Sequence, residues 1–177
     1  MSFKALWITE TADGKIERNI VERNIDDLPA GEVLIRVQYS ALNYKDALSA
    51  TGNKGVTKKY PHTPGIDAAG TVELSRHADF GTGEEVLVTG YDLGMNTAGG
   101  FGQFIRVPAA WVIKKPAAYS LKELMTIGTA GLTAATALHK MELLGLDPTQ
   151  GPIVVTGSTG GVGSLAVSIL STAGYEV

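Results

Sequence analysis

The stretch that most constrains this chain is Ile153-Val154-Val155-Thr156-Gly157-Ser158-Thr159-Gly160-Gly161-Val162-Gly163. An apolar triplet running straight into glycines reads as a parallel strand buried on both faces, then a tight turn, then a helix. Downstream, Val162, Leu165, Ala166, Ile169, Leu170 and Ala173 keep the i, i+3, i+4 spacing of an amphipathic helix, and Gly174 stands where a helix-ending glycine belongs. Glycines at 157, 160 and 163 let the backbone turn sharply, approach a pyrophosphate and pack helix on strand. The helix start then offers free N–H groups and partial positive charge to phosphate oxygens. Strand, turn and helix together predict dinucleotide binding, with Gly157, Ser158, Thr159, Gly160, Gly161, Val162 and Gly163 as cofactor-binding residues. A valine at position 160 would set a branched Cβ against the pyrophosphate. The same letters also suit a tight strand–helix turn that holds no ligand.

The chain ahead of this turn is β-rich. Residues 3–8 and 16–21 read as strands around the hairpin dipeptide Asp13-Gly14. Val33, Ile35, Val37 and Tyr39 alternate with Leu34, Arg36, Gln38 and Ser40, the mark of a half-buried strand. Residues 66–73, 85–89 and 103–107 add strands bounded by Gly or Pro turns, which suggests a barrel or sandwich. The pattern changes at Ser120-Leu121-Lys122-Glu123, a capping box, and an Ala/Leu-rich helix ends at Gly145. These signals divide the chain near Pro116, into domains 1–116 and 117–177. Tyr175-Glu176-Val177 reads as the opening of a second nucleotide-domain strand, and the residue that selects NAD or NADP belongs about 20 positions past the glycines. The expectation is a truncated piece of a longer enzyme.

Lys and Arg number 15 against 18 Asp and Glu, with no charge block, so neither nucleic acid nor anionic membrane is an implied partner. The absence of cysteine excludes disulfides, thiolate metal sites and a cysteine nucleophile. No apolar run is long enough to span a bilayer and no secretory h-region opens the chain, so the expected location is cytoplasmic.

Three further motifs, Asn43-Tyr44-Lys45-Asp46, Pro64-Gly65-Ile66-Asp67-Ala68-Ala69-Gly70 and Gly128-Thr129-Ala130-Gly131-Leu132-Thr133-Ala134, join the glycine turn in a pattern that resembles the medium-chain dehydrogenase/reductase superfamily. Within it the chain looks most like the zinc-free group of acryloyl-CoA reductases and quinone oxidoreductases. The resemblance covers the whole chain and matches the N-terminal half of a family member. It implies an α/β fold: a GroES-like, β-barrel-type catalytic domain followed by the truncated start of a Rossmann nucleotide-binding domain. The glycine letters also fit the short-chain dehydrogenase pattern Thr-Gly-x-x-x-Gly-x-Gly, but such enzymes open with that motif, whereas here it follows the β-rich segment.

A catalytic zinc needs about three N, S or O ligands. Where the zinc branch carries a ligand cysteine this chain has Asn43-Tyr44-Lys45-Asp46, and for Gly-His-Glu it has Gly65-Ile66-Asp67, so no metal site is expected. His62, His77 and His139 are scattered and read as ordinary histidines. Conjugate reduction of a C=C bond does not require the metal. The resemblance therefore implies NADPH-dependent reduction of acryloyl-CoA or a similar enoyl thioester, with NADPH:quinone reduction, or a catalytically inactive fragment, as alternatives. It further implies Tyr44 and Asn43 as catalytic donors, Tyr44 and Thr129 beside the nicotinamide, and a homodimer. Blander roles compete: Tyr44 packed at a strand–helix junction, Asp46 and Thr129 as helix caps, and Asp67 as a structural carboxylate. Gly99-Gly100-Phe101-Gly102 reads as a flexible turn without chemistry.

Overall fold

The computed structural model describes residues 1–177. The chain forms two compact units, Met1–Thr126 and Ile127–Val177. In the first, β1 (Ser2–Glu10) and β2 (Ile16–Asn24) make an antiparallel hairpin whose turn holds Gly14 at φ 79°. A five-stranded antiparallel sheet follows, formed by β3 (Val33–Tyr39), β4 (Asp67–Ser75), β5 (Glu85–Thr89), β6 (Phe104–Val107) and β7 (Ile113–Lys114) in the order β6-β3-β4-β5-β7. Helix α1 (Tyr44–Ala50) lies between β3 and β4 in sequence.

The alternation read in β3 holds only in part, because Val33, Leu34 and Ile35 are all buried. Val33 and Ile35 enter the main core with Val72, Val86, Val88, Ile105 and Val107. Leu34, on the other face, packs with Phe3, Ala5, Leu28 and Phe104. The N-terminal hairpin covers what a lone sheet would leave wet, and isolated bridges Ala5↔Gly102 and Ile8↔His62 tie it down. The expected flexible turn at 99–102 is instead tightly held. Gly99, Gly100 and Phe101 donate backbone bonds to Thr63, Gly65 and Pro64 at 2.8, 2.8 and 3.0 Å. A Cβ on Gly99 would come within 2.5 Å of the Gly65 and Pro64 carbonyl oxygens, so two backbone segments meet there with no room for a side chain.

Helix α2 (Leu121–Leu143) starts at the capping box: Glu123 N–H donates to Ser120 Oγ at 3.2 Å and Ser120 N–H to Glu123 Oε2 at 2.8 Å. It is interrupted at Gly128 (φ 49°, ψ −155°). Helix α3 (Gly161–Thr172) ends before Gly174, which takes φ 90°. Leu138 of α2, Leu170 of α3 and Tyr175 form the core of the second unit, with Ile153 and Val155 partly buried against it. The expected strand at 153–155 does not form a ladder. Its one backbone link is the Ile153 N–H donated to the Glu176 carbonyl at 2.8 Å, and Val154 is 86% exposed rather than buried. Residues 175–177 likewise form no strand. A parallel strand owes its regularity and burial to neighbours on both edges and helices on both faces, and one hydrogen bond supplies neither. No helix is long and apolar enough to cross a membrane.

Candidate functional site

In the first unit the sequence-predicted residues Asn43 and Tyr44 stand together where the chain enters α1. Asn43 is the N-cap, with extended backbone at φ −124°, ψ 153°, and Tyr44 is the first helical residue. Tyr44 does not pack at the junction: it is 81% exposed. Asn43, half-buried, donates from Nδ2 to Asp67 Oδ2 at 2.9 Å. Asp67 is fully buried at the first position of β4, where its backbone pairs with Thr89 of β5.

Asp46 does more than cap the helix. Its Oδ2 accepts the Asn43 backbone N–H at 2.8 Å, completing the capping box, while Oδ1 accepts the N–H groups of Gly65 and Ile66 at 3.1 and 2.9 Å. One buried carboxylate thus joins the start of α1 to the turn that leads into β4. Burial pushes the Asp46 carboxyl above the usual range; N–H donors from Asn43 and Ile66 pull it back, and the Asp67 charge adds to the rise. Sequence reading missed this link because a carboxylate three residues after an Asn signals a cap and nothing about a loop 19 residues on.

His62 is buried and its Nε2 lies 2.9 Å from the Gly94 carbonyl, so that nitrogen carries the proton and donates. Burial holds the imidazole below its ordinary value, opposed by the Gly94 bond and Asp92. No three His, Asp or Glu side chains gather as a metal-binding group.

In the second unit the three glycines divide their work. Gly157 takes φ 66°, which only glycine adopts at little cost, and a Cβ there would meet nothing. Gly163 is buried, and a Cβ on it would fall 2.1 Å from the Gly157 carbonyl oxygen and 2.9 Å from Ser158 Cα. Gly160, the N-cap of α3, lies exposed, and the nearest atom to its would-be Cβ is the Gly157 oxygen at 3.3 Å. One glycine makes the turn, one leaves backbone bare at the surface, and one lets the turn close on the helix. That is the distribution a pyrophosphate cradle requires. The first N–H groups of α3 have no partner inside the helix, so the turn fits a dinucleotide phosphate. Thr129, half-buried, opens the helical segment after the Gly128 break; its neighbour Ala130 lies 3.6 Å from the Cβ position of Gly161, at the same turn.

Residues 29–117 match the family described as alcohol dehydrogenase GroES-like domain. The chain is 44% identical over 175 residues to YhfP of Bacillus subtilis (strain 168), grouped by name with the quinone oxidoreductases. It is 43% identical over 176 residues to the acrylyl-CoA reductase AcuI of Ruegeria pomeroyi. Each alignment takes in 99% of this chain and 53% of the relative, so the chain spans about half the length of these curated relatives. Among solved structures, the yhdH oxidoreductase of Salmonella enterica, in complex with NADP, superposes with a TM-score of 0.93 at 43% identity, over 99% of this chain and 53% of that one. The B. subtilis yhfP structure with NAD bound gives 0.94 at 43% identity, with the same coverage. Relatives of this kind carry a Rossmann domain after the GroES-like one, and the glycine turn with α3 corresponds to its opening. The chain belongs to the alcohol dehydrogenase GroES-like domain family and corresponds to the N-terminal half of its acrylyl-CoA reductase and quinone oxidoreductase members.

Proposed function

We propose that this protein serves NADPH-dependent reduction of an activated C=C bond in acryloyl-CoA or a similar enoyl thioester, without zinc. The observation that carries the reading is a pair of hydrogen-bond donors at the start of α1, the Asn43 amide and the exposed Tyr44 hydroxyl, where no metal-ligand group gathers. The bound cofactor would supply a hydride to the β-carbon. Gly157, Ser158, Thr159, Gly160, Gly161, Val162 and Gly163 would hold its phosphates by backbone N–H groups, with Thr129 and Tyr44 toward the nicotinamide. NADPH as the cofactor is supported by the NADP-bound relative, alongside a yhfP structure that holds NAD.

Reduction at the β-carbon moves negative charge onto the thioester oxygen as an enolate. Donors fixed in advance lower that barrier more than donors that must reorient. Asn43 supplies such a donor from an amide already tied to Asp67. Tyr44, through its phenolic O–H, can hydrogen-bond the oxygen or pass a proton toward the α-carbon. Residues 1–116 would bind the acceptor and 117–177 would belong to the nucleotide-binding domain.

Quinone reduction is the second reading, favoured by the name that YhfP carries. The two separate by following NADPH consumption at 340 nm with acryloyl-CoA and with a benzoquinone in parallel, both under excess chelator. Turnover of the thioester that survives the chelator and fails in Asn43→Ala supports the proposal. Turnover of the quinone alone transfers the site to the second reading, and thioester turnover lost to the chelator overturns the metal-free chemistry.

A further inference from the structure

We propose that Asp67 is a positioning residue that fixes the orientation of the Asn43 amide, within a bracket whose other arm is Asp46. The inference rests on the reading that Asn43 donates to the substrate's thioester oxygen. An amide side chain can turn end for end with little change of shape, and which end faces the substrate decides whether it donates or repels. The Asn43 Nδ2 donates to Asp67 Oδ2 at 2.9 Å, and a carboxylate oxygen in that role gives the amide oxygen nothing to bond, so the contact turns the Asn43 nitrogen inward. The second Nδ2 proton then has one direction, in the plane of the amide.

Asp46 makes that direction reproducible. Its Oδ2 holds the Asn43 backbone N–H, and its Oδ1 holds Gly65 and Ile66, the residues immediately before Asp67. Asn43 is therefore referenced to Asp67 twice, once through its side chain and once through its backbone. Both carboxylates are buried, Asp46 3% and Asp67 0% exposed, so neither contact competes with water. Strand β4 anchors the arrangement, since Asp67 pairs with Thr89 in the sheet. An Asn at position 67 would have the same shape but could offer either an oxygen or an amino group, and the Asn43 amide would lose its single orientation.

Two measurements test this. In 15N–1H spectra of the cofactor-free protein, the Asn43 side-chain amide, identified by its absence in Asn43→Ser, should exchange slowly with solvent, and in Asp67→Asn it should exchange fast. In turnover with NADPH and acryloyl-CoA, Asp67→Asn should lower kcat about ten- to a hundredfold, the loss expected when a buried hydrogen bond is left unmade, with little change in KM or NADPH affinity. The double variant Asn43→Ser/Asp67→Asn should be no slower than Asn43→Ser, because Asp67 acts through Asn43. Should Asp67→Asn fail to fold, fast exchange of the Asn43 amide in the unaltered protein still overturns the proposal. Turnover of Asp67→Asn equal to the unaltered protein, while Asn43→Ser is slow, refutes the positioning role alone. Full turnover by Asn43→Ser refutes the functional reading beneath it.

Discussion

Substituting the glycines of the nucleotide turn one at a time should separate folding from binding. At Gly163 an added methyl carbon would stand 2.1 Å from the Gly157 carbonyl oxygen and 2.7 Å from its carbonyl carbon. Both are backbone atoms of the turn itself and cannot rotate aside, so relief requires a shift of roughly 1 Å in a close-packed segment, at a cost of about 3 kcal/mol or more. The better helix propensity of alanine returns about 1 kcal/mol. Gly163→Ala should therefore lose about 2 kcal/mol, which for a chain of this size is a Tm drop of roughly 4–8 °C. At Gly160 the same methyl group meets nothing nearer than 3.3 Å, on a backbone at φ −79°, ψ 168° that alanine adopts freely. Losing a glycine N-cap costs about 1 kcal/mol or less, yet the methyl sits on the bare surface proposed for the pyrophosphate. Gly160→Ala should melt within about 2–4 °C of the unaltered protein and bind NADPH at least tenfold more weakly. Thermal denaturation followed by circular dichroism, paired with NADPH fluorescence titration, reads both quantities. A Gly160→Ala protein that melts as low as Gly163→Ala, or binds NADPH unchanged, would refute this division of roles.

Other outcomes follow from the first unit. Gly94→Ala should be strongly destabilising, by about 3 kcal/mol or more in urea unfolding, because its Cβ would lie 2.5 Å from the Gly65 carbonyl at a φ of 68°. Thr63→Val should be neutral or stabilise by about 1 kcal/mol in the same assay, since the Thr63 hydroxyl is buried without a hydrogen-bond partner. His62, held below its ordinary 6.5 by burial, takes a proton less readily folded than unfolded, so its contribution is complete above 6.5 and is lost as pH falls from there toward its folded value. Urea midpoints should drop between about pH 7.5 and about pH 5.5, and His62→Gln should flatten that slope. Asp46 has the opposite sign: raised above 3.8, it favours the folded state most below that value, and this advantage is lost as pH rises through its folded value. Asp46→Asn should remove that acid-side gain in the same titration.

Much of the architecture was legible because local chemistry and tertiary structure agree. The Asp13-Gly14 hairpin, the Ser120–Glu123 capping box and the glycine that ends α3 are each decided by a few neighbouring residues, and each forms. The disagreements arise where distant chain supplies the environment. Leu34 looked like a wet-face residue and is buried, because Phe3, Ala5 and Phe104 arrive from elsewhere to cover it. Val154 looked like buried strand and is exposed, because Ile153 finds a single backbone partner and its segment has no ladder. Gly99 and Gly100 looked flexible and are clamped against residues 63–65, a close approach that no local pattern announces. At the candidate site, Asn43 and Tyr44 were visible as a motif, whereas the Asp46 and Asp67 contacts that hold them depend on bringing α1 against the start of β4.

The most direct test of the central proposal, that the glycine turn holds a nicotinamide dinucleotide, is a fluorescence titration of this protein with NADPH alongside Gly160→Val. The expected result is saturable enhancement of NADPH emission by the unaltered protein, lost in Gly160→Val while the circular dichroism spectrum is preserved. Absence of saturable binding, or binding that Gly160→Val leaves intact, would contradict it.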